Sequence, residues 1–441
     1  MPDAHAALTA LDAAREIRER RLGCVDYTAA LLKVIDEREP EVQAWEYLDR
    51  SQALAAARAV DDAIARGDAG GPLLGVPVGI KDIIDVRGMP TGDGTVLHAG
   101  RIASDDAALV RAMRRAGGWP IGKAVTTELA TYAPGKTRNP HDFAHSPGGS
   151  SSGSAAAVAC GMVPLAIGTQ TNGSVIRPAS FCGVVGFKPS FGRIARGGVL
   201  RQSPTLDQIG VFARNVDDAA ALAEALFGPH PSDPATALAP MPSLAAIAAQ
   251  TPPTRLHLAW TRTPWWDRVA SDARAAFDEW IESLGDAVES IELPADARPA
   301  IGWLRTVMEA DIAASYEREY DTGRLQLSES LQRQIERGRA ITAVDYRKAI
   351  ENRARVVASI DPFFDRFDAI ACPATLGTAP PASEGTGDPL MCTLWTYIGA
   401  PAISLPLLAG ANGLPLGVQL VGRHGDDARL LRTARALMQA S

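Results

Sequence analysis

The sequence predicts a layered α/β fold, and three observations carry that expectation. Apolar runs of strand length alternate with amphipathic runs of helix length along most of the chain. Gly and Pro punctuate the junctions. The 441 residues, 46% hydrophobic and 22% charged, are enough to bury a large core.

Residues 1–60 read as helical, with Leu8, Leu11 and Ile17 on one face, a stop at Gly23, and a second run through Leu31, Leu32 and Ile35. A strand-like run at 73–80 ends in Lys81-Asp82 and a Gly/Pro-punctuated loop. A helix follows from Asp105, with Leu109, Val110 and Met113 inside, and Gly117-Gly118 closes it before a strand at 119–121. The Pro-rich patch 228–253 reads as a loop or insertion boundary. A strand at 256–260 then precedes a helix capped by Ser271, which buries Phe277, Trp280, Ile281 and Leu284 and stops at Gly285. Strands follow at 288–293, 369–372 and 416–421, and Asp426-Asp427 opens a last helix with Leu430, Leu431, Ala434 and Leu437 inside.

Composition narrows the function. A net charge of −7 supplies no basic stripe, so neither nucleic acid nor an anionic membrane surface is the expected partner. The low-polarity stretch 154–168 is too short to span a bilayer, and the first 15 residues carry no cationic start followed by an apolar run. Five cysteines, widely spaced and without C-x-x-C, read as thiols in a reducing compartment, hence a cytoplasmic protein with no zinc site or disulfide frame. Only six of the 44 basic residues are lysine, and four of them fall between 81 and 188. Codon bias explains the shortage of lysine. It leaves open which retained lysine does a job that requires losing a proton, which arginine cannot do.

The densest unusual composition is the Ser/Gly-rich block 146–190. Gly149-Ser150-Ser151-Ser152-Gly153 matches a nucleophile elbow in form, but no apolar strand runs into it. A phosphate cradle would need G-K-[S/T], or G-x-G-x-x-G after a strand, and has neither. A serine activated by lysine remains open, because a buried neutral amine accepts a hydroxyl proton. No lysine stands three residues after a serine, so the fold would have to make that pairing. The remaining reading is a loop without chemistry.

The block resembles the signature of the amidase signature family. Gly75-Val76-Pro77-Val78-Gly79-Ile80-Lys81-Asp82 resembles that family's lysine strand. The runs from Gly399 to Pro406 and from Gly413 to Leu420 are similar to its closing segments. The resemblance implies one domain over 1–441 with a large central mixed β-sheet covered by helices on both faces. Within it, 1–60 would be an N-terminal helical segment, 72–215 a catalytic core, 254–360 a variable cleft-covering region, and 366–441 a return to the core sheet. It makes Ser174 the nucleophile, Ser150 a bridging serine in a cis peptide, and Lys81 the base. The backbone N–H groups of Thr171, Asn172, Gly173 and Ser174 would form the oxyanion hole. No metal or organic cofactor is implied.

Departures from the common family pattern are Gln170 for an acid, Asn172 for a glycine, Ser152 for a glycine, and Arg177 three residues after Ser174 instead of two. Asn tolerates left-handed backbone, so the loop survives. These departures resemble a compact, malonamidase-like branch. Arg177, Ser151 and Glu309 are the candidate substrate contacts, with Arg177 either gripping a substrate carboxylate or satisfying carbonyls of the loop. Trp303, Tyr316 and Tyr346 are further candidates for the pocket wall. Lys123 and Lys188 read as structural ties. Asp82 points away from the base by strand alternation, and His141 and His145 show no carboxylate partner.

The function so implied is hydrolysis of a small carboxamide through a Ser174 acyl-enzyme, releasing ammonia or an amine. The substrate would carry a carboxylate, as malonamate does, and a homodimer is the candidate assembly. The alternative is the glutaminase, or A-type, component of an amidotransferase complex. Lys81→Arg keeps the charge and most of the bulk but removes the base. Amide turnover by this variant is expected to be undetectable, and normal turnover would reduce the lysine clustering to codon noise.

Overall fold

The computed structural model describes residues 4–68, 70–231, 233–236 and 243–440. Eleven strands form one mixed sheet. In chain order they are β1 (Trp45–Tyr47), β2 (Pro77–Lys81), β3 (Trp119–Ala124), β4 (Leu165–Gln170), β5 (Val185–Lys188), β6 (Gln208–Ala213), β7 (Leu258–Trp260), β8 (Val288–Ser290), β9 (Ala369–Pro373), β10 (Ala402–Ala409) and β11 (Pro415–Val421). Their order across the sheet is β1-β3-β2-β4-β6-β5-β10-β11-β9-β7-β8. β2 pairs in parallel with β3 and β4, while β4, β6, β5, β10 and β11 alternate antiparallel.

Helices cover both faces. Val78 and Ile80 of β2 pack with Ile167, Leu109, Val110, Leu222 and Leu430 on one side. On the other, Ala166 packs with Trp45, Leu32 and the alanines of helix Ser152–Ala159. β2 is buried along its whole length, as expected for a strand with parallel neighbours and helices above and below. Alternation along β2 turns Lys81 to the side of Gly79, away from Val78 and Ile80.

Most expected elements are present, with shifted ends. Helix Ser271–Leu284 begins at Ser271, but Ala270 holds the cap position and no side chain caps it. Gly23 precedes helix Cys24–Val42 instead of ending the first one, which closes at Arg18. Within the patch 228–253, read as a loop, Leu244–Ala248 is helical, and 232 and 237–242 lie outside the described residues.

The low-polarity stretch 154–168 divides at a tight turn into helix Ser152–Ala159 and β4. The block then continues as helix Ile176–Cys182 and β5, so its glycines and serines mark the junctions of regular elements. One glycine is set by contact. A Cβ on Gly153 would lie 2.2 Å from the Ala44 carbonyl oxygen and 2.4 Å from the Val125 nitrogen, both backbone atoms that cannot swing aside. Gly153→Ala is expected to cost about 2 kcal/mol of stability, the scale of overpacking, measurable as a lower urea midpoint. An unchanged midpoint would show that the helix can lift off β3 freely.

Candidate active site

The fold brings the end of β2 against the turn that opens helix Ser152–Ala159. Lys81 Nζ lies 2.6 Å from Ser150 Oγ and 2.9 Å from Thr169 Oγ1, with all three side chains buried. The Gly149–Ser150 peptide is cis, as the family resemblance implied. Burial holds the Lys81 amine well below its usual value, the charge of Asp207 works against that shift, and the Arg177 guanidinium adds to it.

Two other buried lysines are also pushed down by burial, Lys188 to about 7. Depression alone therefore does not single out a base. Lys123 pairs with Asp82 at 2.9 Å and donates to Thr91 and the Pro90 carbonyl. Lys188 donates to Gln208 and the Ala400 carbonyl. Of the three, Lys81 is the one that touches a serine. Both ties match the structural reading, and Asp82 does point away from Lys81.

Ser174 sits at the end of the loop between β4 and helix Ile176–Cys182, where it borders a narrow cavity with Tyr132, Gly173, Arg177, Met308 and Pro389. Gln170, at the position the family usually fills with an acid, accepts from the N–H groups of Val175 and Ile176 and donates to Thr396. An amide oxygen thus holds the first N–H groups at the helix start, a task that needs an acceptor but no charge. Thr396 donates in turn to the Asn172 carbonyl, and Thr393 donates to the Asn172 side chain. The backbone N–H groups of Asn172, Gly173 and Ser174 donate to no other described residue. They are free to meet a developing oxyanion. Among the described residues no hydrogen bond joins Ser150 to Ser174, so the hydroxyl chain is formed from Lys81 to Ser150 and open at its last link.

Arg177 is 2% exposed and meets no carboxylate at ion-pair distance among the described residues. Its Nη2 donates to the Gly149 carbonyl at 2.8 Å and to Thr386 at 3.3 Å, while Nε and Nη1 have no partner. It therefore ties the loop and still carries unsatisfied donors.

The other candidates fall differently. Ser151 is fully buried and clamps the Thr169 backbone, donating to its carbonyl and accepting from its N–H. It does not reach the cavity. Glu309 borders an outer cavity of about 400 Å³ that adjoins the narrow one through Tyr132, Asn172, Met308 and Pro389. There it accepts from Arg337 and Arg305, which makes it an ion-paired wall instead of a free contact. Trp303 packs on Tyr397, Tyr316 donates to the Leu129 carbonyl, and Tyr346 donates to Asp311. None of these three lines the cavities beside Ser174. His145 does have a carboxylate beside it, Asp142 at 2.9 Å, three residues earlier in the chain. Thr169, Thr393, Thr396 and Asp207 were not legible as site residues. Single threonines and an aspartate carry no spacing signal.

A family model described as Amidase matches residues 26–431. The chain belongs to the amidase family. The amidase is 34% identical to the A-type component of the glutamyl-tRNA(Gln) amidotransferase of Acidothermus cellulolyticus, over 98% of this chain and 94% of that protein. The corresponding protein of Chloroflexus aggregans is also 34% identical, over 95% and 93%. Among solved structures, the amidase matches a chain from a vestigial protein complex bearing on the origins of an s-triazine catabolic enzyme. That match has a TM-score of 0.91 and 26% identity over 98% and 99% of the two chains. It also matches the peptide amidase of Stenotrophomonas maltophilia at a TM-score of 0.86 and 29% identity, over 99% and 97%.

The expectations of family, mixed sheet and amide-hydrolysing enzyme are met. The finer expectation of a malonamidase-like branch is not what these relatives carry, since the curated ones are amidotransferase subunits. Among the described residues, no helix is long and apolar enough to cross a membrane.

Ser174→Ala is expected to abolish amide turnover while leaving the far-ultraviolet circular dichroism unchanged. In the unaltered amidase, turnover should fall on the acid side as Lys81 gains its proton. A rate that rises as the pH falls would contradict a neutral lysine base.

Proposed function

We propose that this amidase hydrolyses a small carboxamide whose carbon skeleton also carries a carboxylate, with Ser174 as nucleophile. Neutral Lys81 takes a proton from Ser150 as Ser150 takes one from Ser174, and Ser174 Oγ adds to the amide carbonyl carbon. The carbonyl oxygen becomes an oxyanion facing the free N–H groups of Asn172, Gly173 and Ser174, the kind of donor worth roughly 3–4 kcal/mol each. Collapse breaks the C–N bond, and the proton held by Lys81 returns through Ser150 to the leaving nitrogen. Water then attacks the ester at the same carbon, regenerates Ser174 and releases the acid.

The observation that carries the substrate reading is Arg177. A buried guanidinium with two donor nitrogens unsatisfied and, among the described residues, no carboxylate at ion-pair distance is costly, and a substrate carboxylate would supply the missing partner. Its site beside Ser174 favours a short spacing between carboxylate and amide, as in malonamate.

The curated relatives favour a second reading: a glutaminase subunit that passes ammonia to a partner's substrate. Glutamine is itself an amide that carries a carboxylate, so Arg177 serves both readings, and they differ in chain length and in the need for a partner.

Ammonia release from malonamate, glutamine and propionamide by the purified protein separates them. Arg177→Ala also removes the brace on Gly149 and a charge that depresses Lys81, so kcat is expected to fall on every amide, while KM rises about 100-fold for the acid-bearing amide alone, as for loss of a charge-assisted pair. An equal change in KM for acidic and neutral amides would remove the carboxylate reading. Glutamine as the preferred substrate, or a partner that co-purifies at fixed stoichiometry, would install the second reading.

A further inference from the structure

β4 and β6 run antiparallel with Gln170 opposite Gln208, so one step beyond that pair sets Thr171 against Asp207. The Thr171 hydroxyl lies 2.6 Å from Asp207 Oδ1 and 2.9 Å from the Gln202 side-chain amide. One hydroxyl proton cannot serve two acceptors. The shorter contact, to the carboxylate, takes it in preference to Gln202 Oε1.

The second carboxylate oxygen, Oδ2, accepts from the backbone N–H groups of Gln202 and Ser203, each at 2.9 Å. Asp207 is thereby fixed at both oxygens. Thr171 and Gln202 also border the narrow cavity beside Ser174, and Thr169 and Asp207 line a second cavity of about 470 Å³ on the other side of that wall. Among the described residues Asp207 makes no ion pair through its side chain. Arg196 beside it donates to its main-chain carbonyl and directs its guanidinium to the Asp233 carboxylate.

We propose that Asp207 is a positioning residue of the relay. It pins the start of the oxyanion loop through Thr171, and its negative charge stabilises Lys81 once that amine has taken the serine proton. The proposal rests on the Lys81–Ser150–Ser174 reading but not on any choice of substrate.

The carboxylate is the one whose charge favours protonated Lys81, against burial and the Arg177 guanidinium. Burial pushes Asp207 up to about 6, offset in part by Thr171, the two N–H groups and Arg196. It is therefore mostly charged at neutral pH and loses that charge in mild acid, while the neutral carboxyl group can still meet the Thr171 hydroxyl. Removing its charge should let Lys81 lose its proton at lower pH, yet leave the protonated lysine less stabilised during reaction. The acid limb should then move to lower pH while the plateau rate falls.

Phenylmethylsulfonyl fluoride tests this without a substrate. Ser174 Oγ would form a bond to sulfur, fluoride would leave, and the serine proton would pass into the relay. The labelled protein is followed by intact mass as a function of pH. Asp207→Asn is expected to slow labelling about tenfold, with its midpoint moved to lower pH. Thr171→Val removes the clamp and, with it, a hydrogen bond that helps keep Asp207 charged, so it should slow labelling and move the midpoint to lower pH by less than Asp207→Asn does. An unmoved or raised midpoint in Asp207→Asn would overturn the electrostatic role, and an unaltered rate in Thr171→Val would overturn the clamp. If Asp207→Asn does not fold, the Thr171→Val rate alone decides whether the loop is pinned from this side. Absence of labelling at Ser174 in the unaltered protein would instead sink the underlying relay.

Discussion

The burial of one amine organises this protein. Lys81 ends a strand whose neighbours on both sides are parallel, under a helix on one face and a packed layer on the other. In that setting an ammonium ion has no water to solvate it, and its nearest polar contacts are two hydroxyls, Ser150 and Thr169, instead of a carboxylate. Desolvation therefore wins over pairing, and the amine can accept a proton. Lys123 is pushed down by burial too, but its partners are different. On the adjacent strand it meets Asp82 directly and becomes a buried ion pair.

That balance constrains the rest of the site. The serine that meets Lys81 must approach closely, and the turn bearing it is held by the Arg177 contact to the Gly149 carbonyl and by the packing of Gly153 against two stretches of backbone. The oxyanion loop must stay open toward the cavity while its polar groups are satisfied from behind. Gln170, Thr393 and Thr396 do this on one side, and Thr171 with Asp207 on the other. Arg177 links the two requirements. It braces the turn, depresses Lys81 by its charge, and keeps two donor nitrogens without a partner among the described residues.

Much of the fold was legible because its elements repeat simple periods. The strands at 73–80, 119–121 and 369–372 and the helices after Asp105 and Ser271 announce themselves by apolar spacing bounded by Gly and Pro. The block 146–190 resisted the same reading, because its helix is built of Ala, Ser and Gly, which show no amphipathic stripe, and the next strand follows after a turn. Of the candidate substrate contacts, Arg177 borders the cavity beside Ser174. Ser151 was misread because a serine beside a reactive serine looks the same in sequence whether it faces substrate or clamps backbone. Glu309 borders the outer cavity, and its two arginine partners, four residues before it and 28 after it in the chain, were not visible in the sequence.

By itself the sequence determined the layered α/β class, the family through its lysine strand and serine block, and the residue types able to do the chemistry. Local periodicity and motif spacing encode those features, since each depends on residues near one another in the chain. The resemblance pointed to Lys81 as the base, and only the tertiary structure supplied its contact with Ser150, the acid that lies opposite Thr171, and the surroundings of the Arg177 guanidinium. Those are contacts between residues tens to hundreds of positions apart, and they depend on strand register and on the desolvation that packing creates.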